Sequence, residues 1–152
     1  MIRLGVLGST RGTDLQAILD AIQNHTLDAE VVVVVSNRNK SYILERARHH
    51  NISDVSVSQI GKTRDEFDRE ITATLLQHGA DLVLLIGFMR ILSAEFCQKW
   101  HDRILNVHPS LLPKYAGGMD NDIHEEVLRN GDVETGCTIH FVTEEVDAGP
   151  IL

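Results

Sequence analysis

Short apolar runs alternate with segments of helical periodicity along most of the chain. The apolar runs, rich in Ile, Leu and Val, occupy residues 2–7, 30–36, 81–87 and 104–107. Segments that begin near residues 15, 41, 63 and 93 carry apolar residues three or four positions apart. Runs of that length indicate buried strands, and that spacing indicates amphipathic helices. Strands alternating with helices predict an α/β fold with a mostly parallel sheet.

The remaining elements are less sharply marked. Weaker strands are expected at 52–57 and 137–143, and the segment 124–128 is expected to start another helix. Pro150 to Leu152 is expected to open another strand. Because the chain ends on this apolar run, we expect a C-terminally shortened form of the fold. No linker or repeat interrupts the chain, so residues 1–152 are expected to form one domain.

Side chains able to cap helices precede three of the helical segments. Thr13 or Asp14 is the expected N-cap of the first helix. Thr63 and Glu66 match a capping box, in which each side chain bonds the other residue's backbone amide. Ser93 is expected to cap a short helix after the run at 81–87.

Composition and charge exclude several classes of protein. The net charge of −8 opposes binding of nucleic acid, which is itself a polyanion. Cys97 and Cys137 have no CxxC spacing, and no His, Cys and carboxylate set has the spacing of a metal site. No apolar run approaches the roughly 20 residues that cross a bilayer. We therefore expect a cytoplasmic protein without a metal, a membrane partner or a nucleic-acid partner.

The residues most suggestive of chemistry lie at the end of the run at 104–107. Asn106 and His108 are two positions apart, so in a strand both side chains project to one face. Pro109 ends the strand because it has no backbone N–H to donate. The carboxyl end of a strand in an open α/β sheet is where ligands bind. His140, in the weak strand at 137–143, is interpreted as a half-buried, hydrogen-bonded residue.

The turn from Gly8 to Asp14 admits two interpretations. A strand, a glycine-containing turn and a helix can present backbone amides to a phosphate, but they also form ordinary βα turns. The glycines match neither GxGxxG nor GxxxxGK[ST], so no dinucleotide or P-loop fingerprint is present. Arg38, after the second strand, could in principle meet the phosphate of NADP. A reductase is therefore one alternative from another class.

Three stretches carry a resemblance to a known family. They are G-F-M-R-I-L at 87–92, R-I-L-N-V-H-P-S-L-L-P-K-Y at 103–115 and H-F-V-T-E-E-V-D-A-G-P-I-L at 140–152. Together they resemble the folate-dependent formyltransferases, most closely the branch that formylates glycinamide ribonucleotide in purine biosynthesis. The resemblance spans essentially the whole chain and implies a Rossmann-like three-layer sandwich. It also implies 10-formyltetrahydrofolate as co-substrate and a monomer or homodimer that binds small molecules.

The resemblance assigns roles to residues at matching positions. Asn106, His108 and Asp147 would form the catalytic trio, in which Asp147 favours the charged form of the imidazole. The residues implied in nucleotide binding are Gly12, Thr13, Asp14, Gly87 and Pro109. Those implied in folate binding are Arg64, Met89, Arg90, Ile91, Leu92, Thr143, Glu144 and Glu145. The nucleotide-binding half would cover about 1–100, and the catalytic and folate-binding part about 86–152.

The chain departs from the family pattern in three places. Asp14 stands where the family usually has Asn, and a carboxylate beside a phosphate is unfavourable unless it turns away as an N-cap. Residues 116–124 replace a shorter loop, whose role is not carried over. The family continues beyond a residue such as Leu152. A formyltetrahydrofolate hydrolase, another amine formyltransferase and a folate-binding remnant with little activity are the alternatives within the resemblance.

Overall fold

A six-stranded sheet lies between two layers of helices in the computed structural model, which describes residues 1–118 and 120–152. The elements in chain order are β1 (Ile2–Gly8), α1 (Thr13–Gln23), β2 (Ala29–Ser36), α2 (Tyr42–His49), β3 (Ser53–Ser56), α3 (Arg64–Gln77), β4 (Leu82–Ile86), α4 (Ala94–Lys99), β5 (Ile104–His108), α5 (Asp120–Asn130) and β6 (Thr138–Phe141). The predicted three-layer α/β sandwich is confirmed.

The strand order of the sheet creates a crevice at its centre. The order is β3-β2-β1-β4-β5-β6, with β1 to β5 parallel and β6 antiparallel to β5. From β1 the chain moves outward to β2 and β3, and it then returns to place β4 on the other side of β1. This reversal is a topological switch point, and in open α/β sheets ligands bind beyond the carboxyl ends of the strands there.

Each face of the sheet carries its own core. On one face Leu7, Val33 and Val83 pack against α3 and α4, where Phe67 and Trp100 are fully buried. On the other face Leu4, Val6 and Val34 of the sheet pack in one cluster with Leu15 of α1 and Ile43 of α2. Because β1, β2 and β4 are covered on both sides, their sequences are nearly continuous apolar runs.

The sequence predicts the start of a helix correctly where a side chain of a nearby residue caps that helix. The amide of Glu66 donates to Thr63 Oγ1 (3.2 Å), and the amide of Thr63 donates to Glu66 Oε2 (2.7 Å), which confirms the capping box. Ser93 Oγ accepts from the amide of Phe96 at 3.2 Å. The N-cap expected for α1 is wrong: the N-cap is Gly12, in a left-handed conformation with φ of 67°, and no side chain caps the helix.

The weaker elements differ in extent from their predictions. β3 and β6 are each shorter than the runs that predicted them, and α5 begins before His124 and continues past Leu128. The predicted last strand exists as a bridge between Ile151 and His140, with the amide of Phe141 donating to Pro150 O at 2.8 Å. Met119, within the predicted loop 116–124, lies outside the described residues.

Candidate active site

An open cleft lies at the carboxyl ends of β1, β4 and β5, at the switch point of the sheet. Its volume is about 1020 Å³. Ligand pockets in proteins usually measure about 300–1,000 Å³, so this cleft has room for two substrates side by side. All but one of the residues to which the family resemblance gives a role line it.

Strand β5 places Asn106 and His108 on the cleft side. Side chains alternate along a strand, and here Val107 between them is 39% exposed on the opposite face, whereas His108 is 3% exposed. The strand ends at His108, as the following Pro109 predicts. Asn106 and His108 thus lie on one side of β5, and both line the cleft. Ligand binding at this edge of the sheet stays a prediction.

Asp147 reaches the same place from the loop that follows β6. Its Oδ2 lies 3.4 Å from His108 Nδ1 and accepts a hydrogen bond from the amide of Gly117 at 2.7 Å. The backbone φ of Asp147 is 54°, a conformation that is uncommon for residues other than glycine and that clusters at functional sites. The loop therefore holds this carboxylate in a fixed position beside the imidazole.

Gly149 allows the loop to bring Asp147 into place. The loop returns alongside β6, and a Cβ at position 149 would collide with the carbonyl oxygen of Phe141. Gly149 is buried, so no side chain can turn outward to avoid this collision. The close approach of the two backbones thus requires glycine at this position.

Both nitrogens of the His108 ring face oxygen acceptors. Its Nε2 lies 3.1 Å from the carbonyl oxygen of Tyr115, and its Nδ1 lies 3.4 Å from Asp147 Oδ2. Because a carbonyl oxygen only accepts, the contact with Tyr115 places an N–H on Nε2. The ring is therefore oriented with its other nitrogen toward the carboxylate.

His140 is a member of the cluster that the sequence does not reveal. It lies directly opposite Asn106 in the antiparallel ladder of β5 and β6, and its side chain is 2% exposed. Its Nε2 is 3.2 Å from Asn106 Nδ2 and 3.8 Å from Asp147 Oδ1. Because an amide nitrogen only donates, His140 Nε2 accepts, and its proton resides on Nδ1, which donates to Phe141 O at 3.0 Å. Only the pairing register of β6 against β5 shows that His140 belongs to the cluster.

The turn after β1 forms one wall of the cleft. Thr13 and Asp14, in the first turn of α1, are exposed there, and Gly87 and Pro109 line the adjoining surface. Gly12 lies behind this wall, where a Cβ would collide with the side chain of Ile43. Gly12 thus shapes the turn without lining the cleft. Asp14, which is not an N-cap, presents its carboxylate on the wall.

The opposite wall is built from the segment after β4 and the loop after β6. Met89, Arg90, Ile91 and Leu92 line it, as do Arg64 at the start of α3 and the loop residues Thr143, Glu144 and Glu145. The Arg90 guanidinium lies 4.2 Å from the Phe67 ring centroid, and its Nη1 donates to Gln59 Oε1 at 2.6 Å. This wall therefore combines apolar surface with the guanidinium groups of Arg64 and Arg90.

Two negative findings apply to residues 1–118 and 120–152. No group of three or more His, Cys, Asp or Glu side chains there is arranged to hold a metal ion. Within the same residues, every helix is too short or too polar to cross a lipid bilayer.

Comparison with known protein families matches residues 2–152 to the formyl transferase family. The chain belongs to that family. Relatives of two kinds match it in sequence. It is 42% identical over 148 residues to phosphoribosylglycinamide formyltransferase of Escherichia coli K12, covering 97% of this chain and 68% of that protein. It is also 42% identical over 151 residues to the human trifunctional purine biosynthetic protein adenosine-3, covering 99% of this chain and 15% of the human protein.

The fold comparison agrees with the sequence comparison. The crystal structure of glycinamide ribonucleotide transformylase 1 from Symbiobacterium toebii superposes with a TM-score of 0.94 at 41% identity. The match covers all of this chain and 71% of that one. The resemblance drawn from the sequence motifs is thereby confirmed at the level of family and fold. The chain spans only a small part of the multidomain relatives and about two thirds of the single-function ones.

Proposed function

We propose that the chain transfers a formyl group from 10-formyltetrahydrofolate to the amine of glycinamide ribonucleotide in de novo purine biosynthesis. The observation that carries this proposal is the cluster of Asn106, His108 and Asp147 at the centre of the cleft. Family membership supports it, since relatives named as phosphoribosylglycinamide formyltransferases match along nearly the whole chain.

The proposed reaction begins when the nucleotide amine attacks the formyl carbon. A C–N bond forms, and the carbonyl π electrons move to oxygen, so a tetrahedral oxyanion develops. Asn106 has one amide N–H engaged by His140 and a second N–H available for this oxygen. The imidazolium of His108 supplies the other donor through Nε2–H, which exchanges the Tyr115 carbonyl for the oxyanion.

Collapse of the intermediate completes the transfer. The C–N bond to N10 of the folate breaks as the carbonyl re-forms, N10 takes up a proton, and the attacking amine loses one. Asp147 supports these steps by holding the charged imidazole and by accepting from a water that carries the proton. The three residues thus act differently, because Asn106 and His108 donate to the oxyanion while Asp147 orients the imidazolium.

The two walls of the cleft suit the two substrates. The amides at the N-terminus of α1, with Thr13 and the turn shaped by Gly12, favour the nucleotide phosphate. Met89, Ile91 and Leu92 offer apolar surface to the pterin ring, and Arg64 offers a cation to the carboxylates of the folate tail. In this proposal, residues of about 1–100 mainly bind the nucleotide, while those of about 86–152, together with Arg64, hold the folate and perform the chemistry.

The cellular setting follows from the same proposal. Both substrates are small, water-soluble molecules, so we propose a cytoplasmic enzyme that acts as a monomer or homodimer. Its net charge of −8 favours small-molecule substrates over nucleic acid as partners.

A single assay tests the function. The purified chain is incubated with 10-formyltetrahydrofolate, with and without glycinamide ribonucleotide, while tetrahydrofolate release is followed optically and the formylated nucleotide is quantified by mass spectrometry. The proposal predicts formyl-nucleotide in amounts equal to the tetrahydrofolate released. Release that is independent of the nucleotide would instead identify a hydrolase, and folate binding with no release would identify an inert binder.

A further inference from the structure

The folate-side wall depends on an irregular backbone segment, Phe88–Ser93, between β4 and α4. No helix or strand covers these residues, so no regular ladder fixes their backbone. Two buried polar side chains from other elements bond its backbone near each end. Ser9, after β1, accepts from the amide of Met89 at 2.9 Å, and Asp68, on α3, accepts from the amide of Ser93 at 2.6 Å.

Both anchoring side chains are shielded from water. Ser9 and Asp68 are each 2% exposed, a burial that is rare for a carboxylate unless it is bonded. A buried hydrogen bond meets little competition from solvent, and its loss leaves a backbone amide unsatisfied. These two bonds therefore restrain the segment more strongly than surface contacts of the same length would.

Arg90, in the middle of the segment, is fixed from a third direction. Its guanidinium stacks on Phe67 and donates to Gln59 Oε1, which also accepts from Asn37 Nδ2 at 3.1 Å. Asn37 Oδ1 in turn accepts from the Ser9 hydroxyl at 2.6 Å. The groups that follow β1, β2, β3 and β4 are thus joined in one hydrogen-bonded chain.

Ser9 has a second connection that Asp68 lacks. It belongs to the turn between β1 and α1, the wall proposed for the nucleotide, and its own amide donates to Gly87 O at 3.0 Å. Ser9 consequently links the two walls of the cleft, whereas Asp68 touches only the folate-side segment. The two anchors should differ in which substrate they affect.

We propose that Ser9 and Asp68 are positioning residues for formyl transfer, with Asp68 fixing the folate-side wall and Ser9 fixing that wall relative to the nucleotide turn. The inference rests on the proposed function for its kinetic effect, while the anchoring itself is measurable without turnover. Neither side chain lines the cleft, so their action is through the backbone of Phe88–Ser93.

Steady-state kinetics separate the two anchors. Asp68→Ala should raise the KM for 10-formyltetrahydrofolate about tenfold and leave the KM for the nucleotide within about twofold. Ser9→Ala leaves the backbone bond to Gly87 in place but removes the hydroxyl that bonds Met89 and Asn37, so it should raise both KM values by about fivefold or more. If Ser9 and Asp68 only stabilised the fold, the substitutions would lower the amount of folded enzyme and hence the apparent kcat. They would not change the KM of one substrate more than that of the other.

Matched variants isolate the hydrogen bonds. Asp68→Asn keeps an oxygen acceptor for the Ser93 amide and should restore the donor KM to within about threefold of wild type. Asp65→Ala, on the exposed side of the same helix, and Ser58→Ala, whose exposed hydroxyl accepts a local bond from Ile60, should leave both KM values unchanged. If Asp68→Ala does not fold, the pair Ser9→Ala and Asp68→Asn still tests the inference.

Two measurements without turnover distinguish this inference from the proposed function. Hydrogen–deuterium exchange should accelerate at Met89 in Ser9→Ala and at Ser93 in Asp68→Ala, and calorimetry should show about tenfold weaker binding of 5-formyltetrahydrofolate to Asp68→Ala. These changes in a chain that transfers no formyl group would support the inference and refute the function. Unchanged exchange and affinity in an active enzyme would overturn the inference alone. A wild-type chain that binds no folate would overturn both.

Discussion

Asp147 Oδ2 lies 3.4 Å from Nδ1 of His108, and the Tyr115 carbonyl faces the other nitrogen of the ring. The imidazole is therefore held between two acceptors, one of them charged. Only one movement, the release of the Tyr115 carbonyl from Nε2, separates this resting contact from donation to an oxyanion.

Loss of the Asp147 charge should slow the reaction without unfolding the chain. Asp147→Asn keeps the side-chain shape but removes the anion beside His108, so the imidazolium loses its partner. We expect kcat for formyl transfer to fall by about 10²–10³, the size typical of one lost oxyanion donor. Glu134→Gln, on the exposed segment before β6 and outside the cleft, is the control for charge and should stay within about threefold on kcat. Equal losses in both variants would contradict the assignment.

His140 should matter through Asn106. His140→Leu removes the acceptor that fixes the Asn106 amide, so the amide can rotate away from the oxyanion, and we expect kcat to fall by about tenfold or more. His140→Gln offers an acceptor oxygen at similar reach and should recover most of the rate. Thermal melting checks that both variants are folded. Identical kinetics for Leu and Gln at this position would argue against an orienting role.

Asp14 should weaken nucleotide binding in the natural chain. Its carboxylate lies in the first turn of α1, on the wall proposed for the phosphate, so the two negative charges repel. Asp14→Asn should lower the KM for glycinamide ribonucleotide about three- to tenfold, and the gain should shrink in high salt. Asp28→Asn makes the same change in net charge just before β2, outside the cleft. An equal gain in that control would show a general charge effect.

The buried Asp68 should make stability depend on pH in a predictable direction. Burial raises its pKa above the ordinary value of 3.8, and its bond from Ser93 and the charges of Arg90 and Arg64 only partly oppose this. The folded state therefore binds the proton more tightly than the unfolded chain. Asp68 therefore contributes fully to the stability of the folded state when the pH is below 3.8, the ordinary pKa of the unfolded chain. This contribution is lost as the pH rises through the raised pKa of the folded state.

Urea unfolding of wild type and Asp68→Asn measures this contribution. The asparagine does not titrate, so other carboxylates cancel in the comparison. As the pH rises from about 4 through the raised pKa of Asp68, the wild type should lose stability relative to the variant. A difference in unfolding free energy that is constant across this range would mean that the pKa of Asp68 is the same in both states.

The features that the sequence predicts correctly are those set by neighbouring residues. Continuous apolar runs locate β1, β2, β4 and β5, and the Thr63 capping box and Ser93 locate two helix starts because each bond closes within a few residues. The prediction for the start of α1 is wrong because Gly12 is held in a left-handed conformation against Ile43, a contact between distant parts of the chain.

The residues of the candidate site can be predicted from the sequence only in part. Asn106 and His108 follow from alternation in one strand, whereas Asp147 follows only from the family motif, and nothing in the sequence gives His140 a role in the site. Both depend on how β6 and the loop after it lie against β5, which involves long-range pairing and a backbone approach at Gly149. No local pattern encodes that register.

Gly149 has a consequence for how this protein would behave under random mutation. Any side chain at this position would displace the loop from Phe141 and carry the Asp147 carboxylate away from His108. In a saturation screen scored by turnover, Gly149 should therefore rank with Asn106 and His108, although it has no functional group. A map of the positions that do not tolerate mutation would therefore include residues, such as Gly149, that take no chemical part in catalysis.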